Sequence, residues 1–159
     1  MYQFEIGGRT VMVSLVDDAG QAMPLYYLNG RYYVQAIHGL EYQINVANLT
    51  RGRIEVLTSI DGRNTLTNNA ASFSMRGMII RPRSTYKFSG WRINDSQTKP
   101  FVFTAFDEDT VAKQATGSNM NLGVISVAVF EEEEPEVFRG GLETYSMGTG
   151  TSHLVSIAS

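Results

Sequence analysis

Few side chains in this chain of 159 residues have the chemistry that catalysis or metal binding requires. The sequence has no cysteine and two histidines, His38 and His153. Without cysteine there are no disulfides, thiolate nucleophiles or cysteine-ligated zinc. His38 precedes a glycine in a predicted turn, His153 lies near the end of the chain, and neither accompanies a G-x-S-x-G pattern. We therefore expect a protein that is not an enzyme, with no catalytic residues, no metal and no cofactor.

One acidic cluster has a spacing that occurs in calcium sites. Asp107, Glu108 and Asp109 are consecutive in the segment DEDT. The segment lacks the glycine and the glutamate that complete an EF-hand loop. A solvated loop in which Asp107 caps a short helix explains the cluster better than a metal site does.

A polar turn follows the alternating segment IEVLTSI. Asp61 can accept hydrogen bonds from nearby backbone amides, Gly62 can supply a positive φ, and Asn64 can close a second turn. No histidine, cysteine or second carboxylate lies within a few residues of the turn. We predict a structural turn, and a hydrolase acting through Asp61 is the weakest alternative.

Two tyrosine pairs flank a strong hairpin signal. Tyr26–Tyr27 precede Asn29–Gly30, and Tyr32–Tyr33 follow it. Asn-Gly between two β-rich runs predicts a type I′ turn. Alternation sends one tyrosine of each pair outward, where it can stack on sugars or bases, although cross-strand tyrosines also stabilise sheets. We assign Tyr32 and Tyr33 as candidate partner contacts.

The single tryptophan, Trp91, lies in a Gly-Trp-Arg step after a strand that the pattern predicts to be half-buried. We expect it to anchor the core or an interface. The neighbouring Arg92 can offer a cation–π contact or a salt bridge to a carboxylate.

Short β-rich runs separated by turn residues occupy most of the chain. Roughly nine to eleven such runs, spaced by about 8 to 12 residues, indicate an all-β sandwich or barrel. We predict a single jelly-roll-like β-sandwich over residues 1–130. The runs PFVFTAF and GVISVAVF are the most apolar and are expected at the centre of its core.

The composition changes after Phe130, where four consecutive glutamates begin. Like charges repel, so residues 131–159 are predicted to be an acidic linker and a flexible C-terminal extension. The segment HLVSI either lies on its own domain or docks on a neighbour as an added strand. Its candidate partner contacts are Leu154, Val155 and Ile157.

Charge and hydropathy argue against two classes of partner. The net charge is −3 and the pI is about 5.4, so no broad basic surface is expected to attract nucleic acid or anionic membrane. No signal peptide or bilayer-spanning run is evident, which predicts synthesis in the cytoplasm. The sequons at Asn48 and Asn94 are then interpreted as chance matches.

Several motifs together suggest a family. The string from Tyr42 through INVANLTRGRIEVLTSIDGRN, with GMIIRP, SGWR and GVISVAVFEE, resembles a poorly characterised β-sandwich family of bacteria and tailed bacteriophages. Its shared patterns are S-x-D-G-x-N, G-W-R and G-V-I…A-V-F, over about residues 24 to 131. The resemblance brings no catalytic residues, and the compact form is similar to the phage members.

The resemblance implies a non-enzymatic structural protein of a virion that is made in the host cytoplasm. A capsid decoration protein is the expected role, binding the major capsid protein through its loops and C-terminal arm and associating with itself. A carbohydrate-binding or other adhesion module, including a tail-associated virion protein, is the alternative.

Overall fold

The computed structural model describes residues 2–6, 9–67, 69–72, 76–104, 123–132, 136–137, 143–144 and 152–158. Every regular element in these residues is a β-strand, so the predicted all-β class is confirmed, whereas the jelly-roll connectivity stays a prediction. The acidic cluster and the short helix predicted at Asp107 lie outside the described residues. The strands are β1 Tyr2–Ile6, β2 Arg9–Asp17, β3 Leu25–Leu28, β4 Arg31–Val34, β5 Glu41–Asn48, β6 Ile54–Ile60, β7 Arg63–Asn64, β8 Met78–Ile80, β9 Ser84–Phe88, β10 Gly90–Arg92, β11 Thr98–Val102, β12 Val124–Glu131, β13 Glu136–Val137, β14 Glu143–Thr144 and β15 Ser152–Ala158.

The strands form two main sheets. The first has the order β1-β2-β5-β11-β10, and β9 also pairs with β5. The second has the order β3-β4-β15-β12-β6-β7, and β8 also pairs with β6. Strands β13 and β14 form a separate two-stranded sheet. Among the described strands, only β15 and β4 pair in parallel.

The core lies between the two main sheets because each long strand turns its alternate apolar residues inward. Both runs that were predicted to be central contribute buried residues. Those runs give Phe101 and Phe103 from one sheet, and Ile125, Val127 and Val129 from the other. They meet buried aliphatic residues of β2, β5 and β6, namely Val11, Val13, Leu15, Ile44, Val46, Ile54, Val56 and Ile60.

The final strand belongs to the sandwich. β15 lies between β12 and β4 and pairs with β12 over its whole length. Ile157 lies opposite Ile125 and is 0% exposed. A flexible extension is therefore wrong for Ser152–Ala158, and Ile157 contacts its own core rather than a partner. The physical reason is burial, since enclosing an isoleucine side chain contributes about 2 kcal/mol.

The buried side chain of Asn48 links separate backbone segments by hydrogen bonds. Its Nδ2 donates to the carbonyl oxygens of Gly52, Ile80 and Arg81 at 2.9, 3.0 and 3.1 Å. Its Oδ1 accepts from the backbone N–H of Thr50 at 2.9 Å. A glycan on Nδ2 is incompatible with these bonds in the folded domain, which agrees with the interpretation of this sequon as a chance match.

Candidate functional site

The turn between β6 and β7 bends through two residues with positive φ. Asp61 has φ 54° and Gly62 has φ 76°, and Ile60 pairs with Arg63 across them. Two central residues with positive φ characterise a type I′ turn, which suits the twist of a hairpin. Asp61 and Gly62 therefore perform the bending that the sequence predicts.

The carboxylate of Asp61 fastens this turn to another strand. Its Oδ1 accepts from the backbone N–H of Gly123 at 2.7 Å, and its own N–H donates to the carbonyl oxygen of Val124 at 3.0 Å. The amide that donates to the carboxylate is not a nearby one as predicted, because it belongs to Gly123, which directly precedes β12. Burial raises the pKa of Asp61, while the Gly123 hydrogen bond and the charge of Arg63 act to lower it.

Asn64 closes the next turn, as predicted. Its Oδ1 accepts from the backbone N–H groups of Leu66 and Thr67 at 2.8 and 3.1 Å. Its own N–H donates to the carbonyl oxygen of Asn69 at 2.8 Å. The Asn64 side chain is buried, so these bonds hold the chain that leaves β7.

Trp91 is an anchor, but its cationic partner is not the predicted one. The guanidinium carbon of Arg63 lies 4.8 Å from the ring centroid of Trp91. The same ring meets Phe101 edge-on, with centroids 5.3 Å apart. Arg92 instead donates its backbone N–H to Thr65 at 3.0 Å. Arg92 was predicted as the cationic partner because it adjoins Trp91 in the sequence, whereas the packing of the two sheets brings Arg63 over the ring.

We use the term turn cluster for Tyr42, Asp61, Arg63, Trp91 and Phe101. Tyr42 lies 5.6 Å from Phe101, measured between ring centroids. Burial raises the pKa of Tyr42, and the charge of Asp61 raises it further. Burial lowers the pKa of Arg63, which Asp61 opposes. The cluster holds an acid, a cation and a phenol, each with an internal role. The carboxylate of Asp61 binds the start of β12 within the second sheet, Arg63 packs on Trp91 of the first sheet, and the ring of Tyr42 packs near Phe101.

An open groove of about 320 Å³ lies beside the turn, on the second sheet. Its described lining contains hydroxyl, amide and aliphatic groups and no acid, base or histidine. Activation of a serine as a nucleophile requires an adjacent base, and none is among these described lining residues. The lining residues are Leu57, Thr58, Ser59, Gly62, Asn64, Ala71, Ser72, Val124, Ser126 and Ala128.

The described residues hold neither a metal-type cluster nor a membrane-spanning helix. They contain no group of three or more His, Cys, Asp or Glu side chains placed to hold a metal ion. They also contain no helix long and apolar enough to cross a bilayer.

The hairpin of β3 and β4 carries an exposed apolar surface. We call Tyr26, Tyr27 and Leu28 the hairpin patch, and their exposed fractions are 58%, 66% and 60%. The predicted contacts Tyr32 and Tyr33 are only partly exposed, because β4 lies further inside the sheet and Tyr32 packs against the core.

Sequence reasoning therefore missed the more exposed arm of the hairpin. The available signal was Pro24, which directly precedes β3. Proline cannot donate to a β-ladder, so it is common at the start of a strand and at sheet edges.

No protein-family model matches this chain, and no curated protein or solved structure matches it significantly. The resemblance to the bacterial and phage family stays a prediction. The structure adds that its three motifs meet in space, since Asp61 binds Gly123 and Arg63 covers Trp91.

Proposed function

We propose that this chain is a non-enzymatic structural protein of a bacteriophage virion, of the capsid decoration type. The observation that carries the non-enzymatic part is the internal use of Asp61, Arg63 and Asn64, the polar residues of the candidate site. Asp61 and Asn64 accept hydrogen bonds from backbone amides, and Arg63 stacks on Trp91. The virion part rests on the family resemblance.

The side chains of the hairpin patch, which lie on the faces of β3 rather than along its backbone edge, are the proposed contact with the rest of the particle, for which the major capsid protein is the expected partner. It offers two tyrosines and a leucine on one exposed arm. Aromatic side chains are enriched at protein interfaces, where they bury a large area at a small entropic cost. The hairpin patch is preferred to Ile157 because that side chain is buried, and the side chains of the other two predicted contacts, Leu154 and Val155, lie outside the described ones.

The test is the protein composition of purified particles of the virus that encodes the chain. Quantitative mass spectrometry is expected to find it at a fixed copy number relative to the major capsid protein. A Tyr27→Ser variant should bind particles more weakly, while Ile93→Ser, which changes an equally exposed residue elsewhere, should bind like the wild type. Absence of the chain from purified particles overturns the proposal.

A carbohydrate-binding module is the second candidate, and the exposure of Tyr26 and Tyr27 supports it, since sugars stack on exposed aromatic rings. Trp91 is a poor candidate for such stacking because Arg63 and Phe101 already contact its ring. Glycan-array binding that is lost in Tyr27→Ala and kept in Ile93→Ala would favour this candidate over decoration.

A further inference from the structure

Strand β3 is an edge strand of the second sheet among the described residues. In the part of the chain that the structure describes, β3 ends the second sheet and pairs with β4 alone. Edge strands carry unsatisfied N–H and C=O groups, and natural proteins commonly protect them with charged side chains, bulges or a covering segment. Residues 21–30 contain no charged side chain, so β3 lacks the commonest of these protections.

The hairpin geometry determines which backbone groups are directed outward. Asn29 has φ 50° and Gly30 has φ 81°, as in a two-residue type I′ loop. Leu28 and Arg31 flank this loop and pair across it, which makes them the hydrogen-bonded pair next to the turn. Because such pairs alternate along an antiparallel ladder, Leu25 and Tyr27 direct their N–H and C=O groups toward the free edge.

We propose that β3 is a dimerisation edge, on which β3 of a second copy pairs antiparallel about a two-fold axis at Tyr26. In this register Leu25 of each copy lies opposite Tyr27 of the other, so all four outward-directed residues form hydrogen bonds. The two Tyr26 residues form the central pair, where side chains approach most closely.

We assign a second copy of the chain as the partner of this edge because the hydrogen-bonding groups of β3 match those of an antiparallel copy of β3. An isologous interface requires each patch to match its own image, and the matched donors and acceptors of Leu25 and Tyr27 meet that requirement. The chain has a net charge of −3, yet residues 21–30 add no charge that would repel a second copy. Pro24 falls opposite Leu28 at a non-hydrogen-bonded position, so its missing N–H costs the pairing nothing.

The contact is short, which determines its strength. Four residues a side form an interface below the roughly 1,200 Å² of stable complexes, so we expect a dissociation constant on the order of 100 µM. This inference goes beyond the proposed function and concerns the self-association that the family resemblance implies. In a particle, many neighbouring copies would strengthen so weak a contact by multivalency.

Cysteine crosslinking tests the register, since the chain has no cysteine of its own. Cα atoms of a non-hydrogen-bonded pair are about 4.5 Å apart, within the range that a disulfide spans. Tyr27→Cys would place its two thiols on a diagonal of roughly 7 to 8 Å, which is unfavourable. We expect Tyr26→Cys to give roughly fivefold more disulfide dimer under mild oxidation than Tyr27→Cys or the exposed control Ile93→Cys. Equal crosslinking in Tyr26→Cys and Tyr27→Cys overturns the register.

Sedimentation equilibrium up to about 1 mM tests the dimer without a crosslink, spanning the interval in which so short an interface associates. Tyr26→Lys sets two like charges across the axis and should weaken association about tenfold, while Ile93→Lys should leave it unchanged. Thermal melts of both variants check that they fold. A monomeric wild type over the whole range, or equal association of the two lysine variants, overturns the inference.

The two proposals fail separately. Protein present in particles but monomeric in solution, with no Tyr26→Cys crosslink, removes the dimerisation edge alone. A dimer that is absent from particles removes the virion role alone.

Discussion

Replacing Asp61 separates the two tasks that the structure gives this residue. It adopts a positive φ of 54°, and its Oδ1 accepts the hydrogen bond from Gly123 at 2.7 Å. Asp61→Ala removes both, Asp61→Gly keeps the backbone freedom alone, and Asp61→Asn keeps the freedom and an acceptor oxygen. The three variants therefore form a graded series at one position.

The expected losses follow from known costs. A left-handed conformation costs an alanine about 1 to 2 kcal/mol, and leaving a partly buried N–H without its acceptor costs about 1 to 3 kcal/mol. Asp61→Ala should therefore lose about 2 to 5 kcal/mol of the free energy of unfolding. Asp61→Gly should lose about 1 to 3 kcal/mol, and Asp61→Asn less than about 1 kcal/mol because one uncharged acceptor remains.

Urea denaturation followed by the fluorescence of Trp91, the only tryptophan, measures these differences. Thermal melting should agree, at about 2 to 4 °C for each kcal/mol in a chain of this size. An Asp61→Ala loss below about 0.5 kcal/mol would refute the structural role of the turn. An Asp61→Asn loss as large as that of Asp61→Ala would show that the charge itself is required. Turnover abolished in a stably folded Asp61→Asn variant would refute the proposal that the protein is not an enzyme.

Three further predictions concern pH and two buried contacts. Burial raises the pKa of Asp61 in the folded state above its ordinary value of 3.8, so the folded state binds this proton more tightly than the unfolded state does. The resulting contribution to stability is fully present below pH 3.8 and is lost as the pH rises through the raised pKa. Urea titrations from about pH 3.5 to 7 should show the wild type losing stability relative to Asp61→Asn, and parallel profiles would contradict this. Asn48→Ala should lower the free energy of unfolding in urea by about 2 to 4 kcal/mol, because the carbonyl oxygens of Ile80 and Arg81 lose the Asn48 donor and the N–H of Thr50 loses its acceptor. The carbonyl oxygen of Gly52 keeps the Thr50 hydroxyl as a donor. A loss under about 1 kcal/mol would contradict this structural role of Asn48. Gly90→Ala should lower the free energy of unfolding by about 3 kcal/mol or more, and lower the melting temperature, since an added Cβ would lie 2.2 Å from the carbonyl oxygen of Lys99. A loss as small as that of the exposed control Thr85→Ala would show that β10 and β11 move apart at little cost.

The local elements were predictable because their causes lie within a few residues. Asn29–Gly30 specifies its hairpin, and the alternation of β2, β5 and β12 specifies which residues turn inward. The bending role of Asp61 and Gly62 and the local cap by Asn64 belong to the same class. For these features the sequence carries the dihedral preferences and the periodicity that produce them.

Contacts between distant segments were not predictable in the same way. The partner of the Asp61 carboxylate is more than sixty residues away, at Gly123, and the cation over Trp91 comes from the opposite sheet rather than from Arg92. The relative exposure of Tyr26 and Tyr32 depends on which strand forms the edge of the sheet. The alternation of apolar and polar residues within a strand does not determine the order of strands in the sheet.

The sequence by itself determined an all-β chain with tight polar turns, few reactive groups and no cysteine. Tertiary structure decided that β15 belongs to the second sheet, that Arg63 of the turn cluster packs on Trp91 of the first sheet, and that β3 is an edge strand among the described residues. The reason is physical: backbone preference and periodicity act over a few residues, whereas burial and strand pairing depend on which distant segments meet.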